Sequence, residues 1–348
     1  VARVAVVGAG AWGTTLAAII GRQEPVLLLS HSAEMAERIQ RERRNERRLP
    51  GIDLPDGLEA TADPERLRDA TDLVVVAVPS QHVRDVVKRI APFVPASADV
   101  LSVVKGLERG TLLRMSEVIA DAGSIPPTRI AALSGPNLAT EIARGLPASA
   151  VVAAEDPELA DRIVERLGRR EFRLYVNSDV LGVELAGALK NILAIAAGAA
   201  DGLGFGDNGK AGLMTRGLAE MTRLGIAAGA NPLTFAGLAG IGDVIATCGS
   251  RLSRNHRLGE ELAKGGKWAD LEASLPGVAE GAYTVDAALA LARRHDVEMP
   301  IAQEVHNALF EGKSVQRCLV DLLSRESKDE LADFQRWLDR LGEARIPR

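Results

Sequence analysis

Val4-Ala5-Val6-Val7-Gly8-Ala9-Gly10-Ala11-Trp12-Gly13 decides how the rest of the chain is read. A short β-branched run over residues 3–7 stops at a glycine, the mark of a buried strand. Gly-x-Gly-x-x-Gly follows at once, and helical spacing begins at Ala11 and runs over residues 11–22. In that setting each glycine has a separate task. Gly8 allows the tight turn, Gly10 lets backbone approach a pyrophosphate, and Gly13 lets the helix pack closely on the strand. The helix start then offers free N–H groups and a positive dipole end to the phosphates. The motif therefore predicts a dinucleotide site.

Moving outward, strands are expected over residues 26–30, 73–78, 100–104, 130–133 and 150–154, and helices over 33–44 and 82–90. Residues 73–78, LVVVAV, are continuously apolar, as in a parallel sheet covered on both faces. Alternation of strands and helices predicts an α/β, Rossmann-like, doubly wound sheet joined by right-handed crossovers. From residue 183 the chain turns rich in Ala, Leu and Gly with helical spacing, so an all-α C-terminal domain is expected. The division is drawn at residues 1–180 for the dinucleotide domain and 181–341 for a helical substrate domain, with 342–348 as a fraying tail. Residues 41–48, RERRNERR, read as a solvated helix end.

Composition narrows the function. The length of 348 residues suits two domains. A net charge of −5 argues against general nucleic-acid binding, and 3% aromatics argues against base stacking. Two cysteines, Cys248 and Cys318, exclude a disulfide scaffold and point to a reducing, cytoplasmic setting. Five scattered histidines leave no metal-binding pair. Residues 4–20 carry no charge, but their three glycines disfavour a signal-peptide helix. Residues 186–206 are broken by Lys190 and Asp201, so no clean membrane span is expected.

Cofactor choice turns on the end of the second strand. NAD sites usually place an acid there for the ribose 2′-OH. Here the strand ends Leu29-Ser30-His31-Ser32, with no carboxylate before Glu34. His31 and the serines can donate to a 2′-phosphate, which favours NADP and leaves NAD as the alternative.

A hydride transfer at an alcohol carbon needs a group to move the hydroxyl proton. No Tyr-x-x-x-Lys is present, since Tyr175 is followed four residues later by Asp179 and Tyr283 by Ala287. Lys190 interrupts a highly apolar helix, LAGALKNIL. A lysine there is costly unless it faces a cleft, and burial lowers its pKa from about 10.4 toward the working range. Lys105 follows a strand's C-terminal end, where doubly wound sheets bind ligands. Ser253-Arg254-Asn255 at a helix start reads either as an anion grip or as ordinary capping.

Together these stretches resemble the bacterial NAD(P)-dependent glycerol-3-phosphate dehydrogenases. The likeness runs over GAGAWGTTLA at residue 8, LPGIDLP at 49, AVPSQ at 77, KGLE at 105, LSGPNLATE at 133, ELAGALKNILAIAAG at 184, GLAGIGDVIATC at 237, SRN at 253 and VAEG at 278. The resemblance implies that Lys190 is the proton acceptor. It implies that Lys105, Gly135, Asn137, Asp243, Ser253, Arg254 and Asn255 hold glycerol 3-phosphate. It implies cofactor contacts at Trp12, His31, Lys105, Ala139, Arg254, Val278 and Glu280, beside Gly8, Gly10 and Gly13. It also implies dihydroxyacetone phosphate as the ketone and a supply of glycerophospholipid precursor. The Ala-rich helical half leaves room for a homodimer interface. Two other readings stand beside it: a lysine-using hydroxy-acid dehydrogenase and a non-catalytic cofactor sensor.

Overall fold

The computed structural model describes residues 2–274 and 277–326. The proposed tail at 342–348 and the end of the second segment, 327–341, lie outside the described residues. The first half comprises β1 (Val4–Val7), α1 (Ala11–Gly21), β2 (Val26–Leu29), α2 (Ala33–Glu42), β3 (Arg44–Asn45), β4 (Leu49–Asp53), β5 (Leu58–Thr61), β6 (Leu73–Val76), α3 (Val83–Ile90), β7 (Asp99–Ser102), α4 (Met115–Gly123), β8 (Ile130–Ser134), α5 (Ala139–Ala143), β9 (Ala148–Ala154), α6 (Pro157–Leu167) and β10 (Phe172–Asn177). Among the described residues the main sheet has eight strands in the order β10-β9-β8-β7-β6-β1-β2-β5. Every residue of β1, β2 and β6 is buried, which is why these strands read as unbroken apolar runs.

The expected parallel sheet needs one correction. β8 and β9 pair antiparallel, so β9 and β10 run against the other six strands. The link between β8 and β9 carries only the five-residue α5, which packs beside α1. Four other strands escaped the sequence reading, β3 of the charge run among them. β5 is a four-residue edge strand with only Leu58 buried. β10 is the opposite edge and buries one end, Phe172, while Tyr175 and Val176 are exposed. β4 contains Pro50 and Gly51, which mask a strand pattern.

The charge run also needs correcting. α2 ends at Glu42, Arg43 adopts the left-handed conformation at φ 53, and the chain enters the β3–β4 hairpin. Asn45 within the run is buried. Its Nδ2 donates to the Ala9 carbonyl at 3.1 Å and to Thr14 Oγ1 at 2.8 Å, pinning the hairpin to the glycine turn.

The second half is helical among the described residues: α7 (Val180–Gly202), α8 (Gly206–Ala228), α9 (Pro232–Phe235), α10 (Asp243–Gly249), α11 (Arg254–Ala263), α12 (Trp268–Ser274), α13 (Glu280–Arg294), α14 (Pro300–Phe310) and α15 (Val315–Leu323). A π-turn at Leu238–Gly242 leads into α10. α7 is the axis of this half, and its core runs on into Val151 and Ala153 of β9. Val180–Gly202 and Pro232–Gly249 are each long and apolar enough to cross a membrane by composition. Inside the fold, 89% of the first apolar window is buried against other elements, the place of a core helix.

Close approach explains the glycines of α7 and its neighbours. A Cβ at Gly198 would stand 1.8 Å from the His256 carbonyl oxygen, and one at Gly259 would stand 2.0 Å from that of Ile195. α7 and α11 therefore touch backbone to backbone. Gly212, inside α8, faces open space. Gly198→Ala should cost about 1–3 kcal/mol through overpacking, whereas Gly212→Ala should stabilise by about 0.5–1 kcal/mol. Urea denaturation of both variants checks this; equal midpoints would refute the close crossing.

Candidate active site

The glycine turn has the geometry that its sequence predicts. Gly8 sits at φ +117, and a Cβ there would stand 2.3 Å from the Ala77 carbonyl oxygen. A Cβ at Gly13 would stand 2.0 Å from the Gly8 oxygen. Gly10, the N-cap of α1, has nothing within 4 Å of its Cβ position. Two glycines are thus required by packing, and the third leaves room for a pyrophosphate at the helix start. The Trp12 Nε1 atom is buried without a hydrogen-bond partner, and its ring meets Phe172 edge-on at 6.1 Å. The turn fits a dinucleotide.

At the end of β2, His31 is exposed. Ser30 Oγ accepts from the Ser32 amide at 3.2 Å, and Ser32 Oγ caps α2 by accepting from the Met35 amide at 3.3 Å. Glu34 lies exposed in the first turn of α2. Ala139 opens α5, where its carbonyl accepts from Thr15 Oγ1 at 3.1 Å.

Four side chains from three segments distant in sequence converge where the helical half meets the sheet. Lys190, on α7, is only 6% exposed, and Asp243, the first residue of α10, only 1%. Asp243 Oδ1 lies 3.1 Å from Lys190 Nζ. Its Oδ2 lies 2.5 Å from Lys105 Nζ. Lys190 Nζ donates to Thr247 Oγ1 at 2.6 Å, and that hydroxyl donates on to Asp243 Oδ1 at 2.9 Å. Lys105 also donates to the Gly135 carbonyl at 2.8 Å. Gly135 holds φ +134 against Ala150, where any side chain is strained.

The charges follow from this arrangement. Burial lowers the Lys190 pKa; Asp243 pulls it back up, Lys105 pushes it down, and the result is about 8. Burial pushes Asp243 upward, but the two ammonium groups outweigh it and hold the carboxyl below its usual range. Asp243 is therefore a shared counter-ion, not merely a turn residue beside Gly242.

A second layer ties the halves together. Asn255 Nδ2 donates to Asn191 Oδ1 at 2.9 Å, and its Oδ1 accepts from the Gly281 amide at 2.9 Å. That amide braces α7, α11 and α13. Ser253 caps α11 by accepting from the His256 amide at 3.2 Å. Arg254, the first residue of α11, is exposed along part of its length while its guanidinium lies against Gly277; desolvation of that group lowers its pKa and Glu280 opposes the shift. Glu280, at the start of α13, accepts from the Ser80 amide at 3.0 Å and from Ser80 Oγ at 2.5 Å. Val278 lies half-buried two residues before it. Asn137, between β8 and α5, has both amide atoms buried with no partner, an unspent donor and acceptor beside Gly135. The sequence reading gave Thr247 no role, although it lies four residues after Asp243 on one helix face. Ser80 lay inside a recognised motif with no task assigned.

A dinucleotide turn on the sheet, combined with a buried lysine of lowered pKa on the helical half, belongs to the nicotinamide-dependent dehydrogenases. Residues 3–160 match the family model of the NAD-dependent glycerol-3-phosphate dehydrogenase N-terminus, and residues 179–320 match that of its C-terminus. Glycerol-3-phosphate dehydrogenase [NAD(P)+] of Chlorobium limicola is 45% identical over 94% of this chain and 99% of its own. That of Corynebacterium kroppenstedtii is 46% identical over 94% and 99%. A crystal structure of glycerol-3-phosphate dehydrogenase from Coxiella burnetii superposes with a TM-score of 0.88 at 39% identity, covering 92% of this chain and 98% of that one. The chain belongs to the NAD(P)-dependent glycerol-3-phosphate dehydrogenases and is an oxidoreductase of that activity.

Removing the shared counter-ion tests the electrostatic geometry. Asp243→Asn should destabilise the fold by about 3–5 kcal/mol at pH 7, because two buried lysines lose their partner. Urea denaturation measures it; an unchanged midpoint would rule out Asp243 as the buried counter-ion.

Proposed function

We propose that the enzyme reversibly reduces dihydroxyacetone phosphate to sn-glycerol 3-phosphate, with Lys190 moving the proton at the C2 oxygen. The observation that carries this reading is the buried Lys190 amine, tuned to about 8 and aligned by Asp243 and Thr247. A bound nicotinamide dinucleotide supplies the hydride to C2 or takes it back. Lys190 as ammonium donates to the C2 oxygen as charge develops on it, and as amine it accepts that proton in the opposite direction. General acid–base help is best when the pKa lies near the working pH. Lys105 contributes a second cation to the same oxygen, and Asp243 keeps both amines in register.

In this reading the remote phosphate is gripped by Arg254 at the start of α11, where the guanidinium and the helix end both favour an anion. Ser253, Asn255, Gly135 and Asn137 complete the substrate pocket, and the orphaned Asn137 amide supports its part in this. Trp12, His31, Ala139, Val278 and Glu280 line the dinucleotide with Gly8, Gly10 and Gly13. NADPH is the preferred form and NADH a substitute, because the end of β2 lacks the acid that selects a free 2′-hydroxyl. The reaction is assigned to the cytoplasm, as a supply for glycerophospholipid synthesis. The two free cysteines suit that compartment.

Nicotinamide absorbance with dihydroxyacetone phosphate, against unphosphorylated dihydroxyacetone, tests the substrate. Rapid turnover of the phosphorylated ketone alone is expected, faster with NADPH than NADH. Arg254→Ala should raise KM for that ketone about tenfold or more, the worth of one charge-assisted bond. An unchanged KM would refute the phosphate grip.

Lys190→Ala should lower kcat by about 10²–10⁴-fold while dinucleotide binding survives. In the wild type, kcat/KM for reduction should fall as pH rises through about 8, where the ammonium loses its proton. The oxidative kcat/KM should rise across the same interval. A Lys190→Ala enzyme of normal kcat would remove lysine from the mechanism.

A further inference from the structure

We propose that a cleft between α1, the loop after α5 and the start of β10 binds a small amphiphilic anion, with a carboxylate or phosphomonoester head on an aliphatic body. The cleft has a volume of about 350 Å³, within the span of small-molecule sites, and shares no residue with the lysine cluster. Ile19, Ile142 and Phe172 make an apolar floor, and Leu146 forms a wall that is half exposed.

Two guanidinium groups stand over that floor. Arg22 Nη2 donates to the Ala143 carbonyl at a long 3.3 Å. Arg169 Nη1 donates to the adjacent Gly168 carbonyl at 2.6 Å, while its Nε is buried without a partner. Neither arginine pairs with a carboxylate among the described residues. Burial lowers the Arg169 pKa, and the nearby Glu24 opposes this. Glu24 does not neutralise the site, because Arg166 Nη1 holds its carboxylate at 3.2 Å. Glu171 and Arg22 both line the cleft at exposed positions, where water screens them, so the half-buried Arg169 is the principal anion partner.

A buried N–H with no acceptor costs free energy that an anion would recover. A bare inorganic anion would leave the apolar floor uncovered, and a neutral aliphatic molecule would leave Arg169 unpaired. An anion carrying an aliphatic body satisfies both. The cleft also lies behind the dinucleotide turn: Phe172 stacks edge-on to Trp12, and α1 and α5 are joined by the Thr15–Ala139 hydrogen bond. The site is thus separate from the catalytic cleft yet built on the same helices.

Octanoate is the probe. Calorimetric titration into the full-length enzyme saturated with NADPH and glycerol 3-phosphate should show saturable one-site binding. Arg169→Gln should weaken that binding about tenfold or more and leave turnover without octanoate unchanged. Leu146→Asp, at an exposed position, should weaken it similarly through the apolar wall. Acetate and octanol should each bind far more weakly than octanoate. Absence of saturable binding to the NADPH-saturated enzyme, or wild-type affinity in either variant, would overturn the proposal.

Discussion

One buried carboxylate serving two lysines is the constraint on which the active site depends. Asp243 is almost fully enclosed and reaches Lys105 through one oxygen and Lys190 through the other. Below about pH 8 the cluster holds two ammonium groups against one carboxylate, so it keeps a positive charge in excess. Such an excess is expensive inside a protein unless an anion arrives to share it. In the proposed reaction, a substrate oxygen that gains negative charge during reduction meets that need. Burial, reinforced by Lys105 and opposed by Asp243, holds Lys190 below an ordinary lysine, where the proposed reaction needs its proton to move in both directions.

The backbone arrangement exists to bring that cluster together. Lys105 follows β7, Lys190 lies on α7, and Asp243 opens α10 after a π-turn. Glycines at the α7–α11 crossing allow backbone contact, which brings Asn255 within reach of Asn191. Asn191 in turn sits next to Lys190 in sequence, so the brace and the buried amine share one turn of helix. Glu280 and Ser80 make a second tie, from the start of α13 to the loop after β6. Fold and chemistry are therefore linked at named hydrogen bonds, and the helical half does not merely cover the sheet.

Much of this was legible in the sequence, for reasons that differ by element. β1, β2 and β6 are buried on both faces, so their apolar runs are unambiguous. Lys190 stood out because a charge in an apolar helix needs a reason. The hairpin over residues 44–53 was hidden because its tie is a single asparagine within a charge run that otherwise faces water. β9 could be recognised as a strand, but its direction depends on where α5 packs, and local pattern carries no such information. Thr247 was missed because a threonine within a helix is unremarkable until its hydroxyl is seen between an amine and a carboxylate.

The account rests on the proton affinity of one amine, which can be observed directly. Selective ¹⁵N labelling of lysine, with Lys190 assigned by substitution with arginine, allows the Nζ resonance to be followed by NMR from pH 6 to 11. Lys190 should titrate with a midpoint of about 8. A midpoint at about 10.4, the ordinary lysine value, would contradict it and leave the buried cluster without a role in proton transfer.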